Sequence, residues 1–382
     1  MVQYNVISTD DHLQEDRYAW TSRMSEKKWG DKIPQVKEIG DGTERWFIYG
    51  EQRDQTGGVA IVHGVMDDKR KVPMRWEEVP EIAYVPAERI KAMERDGVDA
   101  HTLFANVAGV AGATFSNNAF DEEFRIEAIQ AYNDYQMDEW ALAYPGRFIS
   151  LANVPMWDVQ KAVAEVRRMH KRGVHGVTFA FPQQFNYPHI ADPYWDPLWS
   201  EAQDLGLSVN FHQGGGGSMG MTPQAAWSGH TAMVRLAEGS TKSIAANTAI
   251  MATILFSGIG QRFPRLKIVS AESGMGWVPY LLELADHQYE AQKLVHEGLD
   301  TKPSEIFHRQ CYVNFWYEVV GAKMRHYIGI DNIMWESDYP HPTGTWPDSR
   351  KYIEASMKDW PVEERRKVLV DNAVKVFNLD AS

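Results

Sequence analysis

The stretch Val174–His212, VHGVTFAFPQQFNYPHIADPYWDPLWSEAQDLGLSVNFH, holds the unit from which the fold is read. It opens with a continuous apolar run, Val174–Phe181, and passes through a helix-like segment, Pro193–Leu205, that stops at Gly206. A second apolar run follows at Leu207–His212. Continuous rather than alternating runs mark strands buried on both faces, as in a parallel sheet. Outward from this unit the same kind of run recurs at Asn5–Ser8, Ala100–Asn106, Phe148–Met156, Leu266–Glu272, Tyr312–Trp316 and Asn332–Asp338, which makes eight. Helix-like segments separate them. Asp121–Tyr144 opens with acidic residues, Val159–Lys171 ends in a basic turn before Gly173, and Met275–Leu294 carries apolar residues at 3–4 spacing.

Eight repeats of strand and helix predict an α/β fold, a (β/α)8 TIM barrel forming one domain over 1–382. A doubly wound sheet is the alternative, and no G-x-G-x-x-G follows an early strand to support its dinucleotide form. Gly214–Gly217 follows a strand but lacks the Lys-Ser/Thr of a P-loop, so it reads as a loop at the barrel mouth. Two insertions are expected, at about 15–85 after strand one and about 214–242 after strand five. At the active face of a barrel such insertions build a lid or an oligomer contact.

The 382 residues include 39 basic and 52 acidic side chains, a net charge of −13. That charge repels phosphate backbones and anionic lipid, so nucleic acid and membrane are not expected partners. The lone cysteine, Cys311, excludes an intramolecular disulfide and a thiolate zinc site, and reads as a small buried filler. With no secretory leader and no apolar run near the ~18 residues of a membrane span, a cytoplasmic protein is expected. Aromatic residues reach 12%, with 14 Trp. They fill a large core, or wall a pocket for a flat apolar molecule, or both. Because the insertions add apolar and aromatic surface, a homodimer or larger homo-oligomer is expected.

Chemistry concentrates where strands end. In Asp10-Asp11-His12 the first and third residues point to one side of an extended strand, so Asp10 and His12 can face one metal while Asp11 faces away. His212 closes the fifth strand and Asp338 the eighth, in Glu336-Ser337-Asp338-Tyr339-Pro340-His341. Two imidazoles and two carboxylates form a donor set suited to one divalent ion, with Zn²⁺ expected and Mn²⁺ or Fe²⁺ as alternatives. His341 is a candidate catalytic group within reach of the pocket or of its own loop. Trp277 and Phe181, near strand ends, are candidate substrate-binding walls. His63 and His101 have no strand-end argument and read as surface or core residues.

On these residues the chain resembles the amidohydrolase superfamily, in the branch related to aminocarboxymuconate-semialdehyde decarboxylase and the dihydroxybenzoate decarboxylases. The resemblance runs through Val6–His12, Ser208–Gly215, Phe263–Pro279 and Asn332–Pro342. It implies that Asp10, His12, His212 and Asp338 bind one metal, with Asp10 in place of the more usual His or Glu. Val174–Phe181 contains no lysine of the kind carbamylated in binuclear relatives, which implies a mononuclear site. After strand six the decarboxylases carry a His, and Glu272 stands there instead. Glu272 can transfer a proton, or it can be structural, paired with an arginine or a helix N-terminus.

The residues are compatible with three functions. Hydrolysis of a small aromatic or apolar carboxylic acid through a metal-activated water, with Asp338 as proton acceptor, comes first. The alternative is non-oxidative decarboxylation of an aromatic or unsaturated acid. A barrel that has lost catalysis and only binds is the third, and the intact ligand set argues against it.

Overall fold

The structure, a computed structural model, describes residues 3–53, 59–69, 71–212, 229 and 231–380. Eight parallel strands run in chain order around a barrel: β1 Ile7–Leu13, β2 Ala100–Ala105, β3 Phe148–Ala152, β4 Gly176–Thr178, β5 Ser208–His212, β6 Lys267–Ala271, β7 Cys311–Phe315 and β8 Ile333–Trp335. Nearly every strand residue is buried, which is why their sequences read as continuous runs. Cys311, buried, opens β7.

The seam between β8 and β1 is closed by side chains and by the loop after β8. Thr9 Oγ1 donates to Trp335 O at 2.9 Å. Asp338 N donates to Asp10 O at 3.0 Å and His12 N to Tyr339 O at 2.6 Å. The segment that carries Asp338 is therefore part of the barrel wall.

The boundaries of three strands differ from the sequence expectation in ways that bear on the site. The first strand runs to Leu13 rather than stopping at Ser8, so Asp10-Asp11-His12 lies inside it. Hydrogen bonding across the seam extends the strand over these polar residues, which apolar patterning does not register. Conversely, β4 and β8 are shorter than their runs, leaving Phe181 and Asp338 in loops.

Residues 15–85 contain a three-stranded antiparallel sheet, Gln35–Glu38, Glu44–Ile48 and Glu51–Gln52, beside short helices. It packs on helix Glu122–Tyr135 through its own aromatic core, in which Trp20 meets Trp46 edge-on at 5.7 Å. Both indoles are satisfied: Trp20 Nε1 donates to Ala128 O at 2.9 Å and Trp46 Nε1 to Val59 O at 2.8 Å. Much of the tryptophan content is thus core, the arrangement expected of buried rings with one polar atom. The Gly214–Gly217 loop lies outside the described residues. The tail of the second expected insertion, from 232 onward, is the start of the barrel helix Ala232–Phe256. Among the described residues no helix is long and apolar enough to cross a membrane.

Candidate metal centre and active site

Local devices bring each side chain to the barrel mouth. Between Ser8 and Asp11 the β1–β2 register shifts, so Thr9 and Asp10 stand opposite the single residue Thr102. Such a bulge re-aims side chains at a barrel rim. His212 is the last residue of β5. Glu272 follows β6, Asp338 lies beyond β8, and both hold left-handed backbone, at φ 47° and 56°. For residues bearing a β-carbon this conformation costs about 1–3 kcal/mol. Neighbours hold it in place. Glu272 N donates to Glu336 Oε2 at 3.2 Å, and Thr343 Oγ1 donates to Asp338 Oδ2 at 2.6 Å.

The predicted ligands converge. His12 Nε2 lies 3.7 Å from Asp10 Oδ1 and 3.8 Å from Asp338 Oδ1. His212 Nε2 lies 3.4 Å from Asp10 Oδ2 and 3.5 Å from Glu272 Oε2. The two Nε2 atoms face each other at 3.1 Å. His341 joins them, its ring stacked 4.2 Å from that of His12 and its Nδ1 3.7 Å from Asp338 Oδ1.

These residues fit a divalent cation. Both carboxylate oxygens of Asp10 and Oδ1 of Asp338 are buried without a hydrogen-bond partner among the described residues. Buried polar atoms are normally satisfied, so orphaned oxygens beside two facing imidazoles are the signature of a ligand set. Charge agrees. Burial first, and then the negative charge of Asp338, pushes the Asp10 and Glu272 carboxyls well above the usual carboxylate range. Glu336 is raised in the same way, by burial and then by Asp10. A cation among them reverses that repulsion. Burial, and then His341, holds His12 well below the usual imidazole range, so it stays in the neutral form that ligates metal.

Glu272 and His341 are thus assembled with the four ligand candidates, whereas the two proposed walls are less engaged. Trp277 donates its indole N–H to Ser273 O at 2.8 Å, bracing the turn after Glu272. Phe181 packs on the barrel core and meets His189 edge-on at 6.4 Å. Among the described residues the phenyl ring that meets the imidazoles is Phe104, with centroids 4.7 Å from His212 and 6.0 Å from His12. Sequence reasoning missed it because every residue of β2 is buried and the run carries no alternation to say which side chains face the mouth. Glu336 was also missed, although it stands two residues before Asp338.

Comparison with known proteins agrees with this architecture. The family described as Amidohydrolase matches residues 75–379. A 2-amino-3-carboxymuconate-6-semialdehyde decarboxylase of Dictyostelium discoideum is 23% identical over 315 residues, covering 80% of each chain. Among solved structures, an amidohydrolase from Mycobacterium avium subsp. paratuberculosis K-10 superposes with TM-score 0.76 at 21% identity, covering 99% of this chain and 100% of that one. A dihydroxybenzoic acid decarboxylase from Polaromonas sp. JS666, with bound manganese and the inhibitor 2-nitroresorcinol, superposes with TM-score 0.64 at 17% identity, covering 100% of this chain and 98% of that one.

Proposed function

The chain belongs to the amidohydrolase family and is an enzyme, and on that premise we propose that it decarboxylates a small aromatic or unsaturated carboxylic acid without oxidation. The reading gives Asp10, His12, His212 and Asp338 the role of holding one divalent ion. Such an ion, when bound, supplies positive charge that holds an anionic substrate and draws electron density from it. Zinc is the ion expected from the donor set, and the manganese in the Polaromonas relative supports Mn²⁺ equally.

The observation that carries the reading is Glu272. Its carboxyl is buried against the ligand set, 3.5 Å from His212, just past the end of β6. Once protonated, a carboxyl in that place can give its proton to the substrate carbon as the bond to the carboxylate breaks. The balance is one proton onto carbon and one CO2 released. Phe104 offers a flat wall against the imidazoles, and His341 a second imidazole near Asp338 for a substrate oxygen.

Hydrolysis, the first expectation from sequence, remains the competing reading. What favours it is also Glu272, since a carboxylate accepts a proton from water where the decarboxylases this chain resembles place a histidine. The decarboxylase descriptions of the relatives support the lyase reading more strongly. The two separate in isotopic water. With a panel of hydroxybenzoates and unsaturated acids, release of CO2 with deuterium from D2O at the vacated carbon is expected. Incorporation of ¹⁸O from water into the product with no CO2 would overturn it.

A further inference from the structure

Asp11 sits between the two ligands of β1, points away from them, and is completely buried. Its Oδ1 accepts hydrogen bonds from Ser337 Oγ, a short contact, and from Tyr339 N at 3.2 Å. Those donors are the two residues flanking Asp338. One carboxylate oxygen thus grips both sides of the residue whose backbone is held left-handed. The grip is reinforced by Ser337 N, which donates to Ser8 Oγ at 2.7 Å. A β-carbon on Gly344 would come within 2.8 Å of Ser337 O and 2.7 Å of Asp338 O, so the loop is closely wrapped at this point.

Below Asp11 lies a buried cation. Arg89 donates through Nη2 to His12 O at 2.8 Å and to Ala83 O at 3.0 Å, and through Nε to Ile82 O at 2.9 Å. Its guanidinium carbon is 4.0 Å from the centroid of the Tyr339 ring. His101 stands between the two side chains, with Nδ1 3.8 Å from Asp11 Oδ1 and 3.4 Å from Arg89 Nη1. The network therefore touches the backbone of one candidate ligand, His12, and both neighbours of another, Asp338. Apolar residues of similar volume could close a barrel seam as well as a buried polar network does. They could not direct the Asp338 carboxylate.

We propose that Asp11 is a positioning residue for the metal centre: by holding Ser337 and Tyr339 it fixes Asp338 against His12, while Arg89 anchors the His12 backbone from beneath. This rests on the ligand set proposed above. Partners behind metal ligands set their orientation, and losing one lowers metal affinity by about 10–100-fold.

The test loads the chelated full chain with Co²⁺ and reads both affinity and the visible absorption band, which reports ligand geometry. Asp11→Ala and Ser337→Ala are expected to weaken Co²⁺ binding by roughly 10–100-fold and to change the band. Asp11→Asn keeps an acceptor at Oδ1 and should stay close to wild type in both. Asn332→Ala is the control for stability alone, because Asn332 Nδ2 ties together the carbonyls of Phe307, His308 and Cys311 at 3.2, 3.0 and 2.8 Å. It should lower Tm and leave the band unchanged. If Asp11→Ala does not fold, Ser337→Ala decides the matter. Wild-type affinity and band in Ser337→Ala or Asp11→Ala would overturn the positioning role, as would equal weakening in Asn332→Ala. A wild-type chain that takes up no Co²⁺ overturns the metal centre and this role with it.

Discussion

Asp10 and Asp11 are adjacent in β1, equally buried, and differently surrounded. Asp11 Oδ1 has donors from Ser337 and Tyr339, with Arg89 and His101 behind them. Asp10 faces two imidazole nitrogens, and neither of its oxygens has a hydrogen-bond partner among the described residues. A folded chain does not leave a carboxylate in that condition without a reason, because an unmet buried charge costs several kcal/mol. Asp11 Oδ2 also lacks a partner among the described residues, so the contrast lies in the anchored Oδ1: the carboxylate held by backbone and hydroxyl donors reads as scaffold, and the one that faces only imidazoles as a place for a ligand. The contrast can be broken by experiment.

The largest effect is expected on the face with the imidazoles. His12→Ala and His212→Ala should lose bound metal and lower turnover by roughly 10⁴-fold, the scale of several kcal/mol of charge stabilisation. Folding should survive. Metal analysis, turnover and Tm on one preparation check this, and stoichiometric metal in both variants would erase the distinction between the two faces. Glu272→Gln follows in size. It should retain metal yet slow turnover by about 10²–10⁴-fold, the range for losing a general acid or base. A lower Tm with near-normal turnover would instead make Glu272 part of the scaffold.

A third test concerns pH. Glu15, just beyond β1, is fully buried and accepts from Val107 N at 2.8 Å and Ala108 N at 3.0 Å. Burial pushes its carboxyl up from 4.5 to about 7. Because the folded state holds this proton more tightly than the unfolded state, its contribution to stability is complete below about 4.5 and is lost as pH rises through about 7. The full change is on the order of 3 kcal/mol. Glu15→Gln cannot ionise, so in urea unfolding at pH 5 and pH 8 the gap between the proteins should shift in favour of the variant by about 2–3 kcal/mol. Parallel pH curves would show that Glu15 is not held as the structure implies.

How much of this could be read in the sequence follows from the same contrast. Seven strands were legible because a double-buried strand writes itself as an apolar run, whereas of β1 the run caught only Ile7 and Ser8. Asp10, His12, His212 and Asp338 were legible because barrel chemistry collects at strand ends. The left-handed backbone at Glu272 and Asp338 was not, because neither is glycine and the conformation is imposed by Glu336, Thr343 and the seam. The clamp from Asp11 spans 326 residues of sequence to Ser337, and no local pattern encodes such a pairing. The place of Phe181 was misjudged for a related reason: β4 ends at Thr178, so Phe181 sits farther along its loop than the apolar run suggested.

The smallest expected effect separates two phenylalanines that the sequence treats alike. Phe104 on β2 and Phe179 just past β4 are both fully buried. Phe104 meets the rings of His12 and His212, whereas Phe179 meets Trp195 at 5.2 Å and Trp199 at 5.0 Å. If Phe104 is the wall against which a flat substrate lies, Phe104→Leu removes one aromatic contact, worth about 0.5–1.5 kcal/mol. KM for an aromatic acid should rise by roughly 2- to 12-fold, with kcat nearly unchanged, because the lost contact exists in ground state and transition state alike. Phe179→Leu should instead lower Tm, since it loosens packing between tryptophans, and leave KM alone. Steady-state kinetics and thermal unfolding of the two variants decide between these assignments. A KM rise in Phe179→Leu, or a fall in kcat alone in Phe104→Leu, would move the substrate wall away from Phe104 and make the ring part of the support beneath the imidazoles.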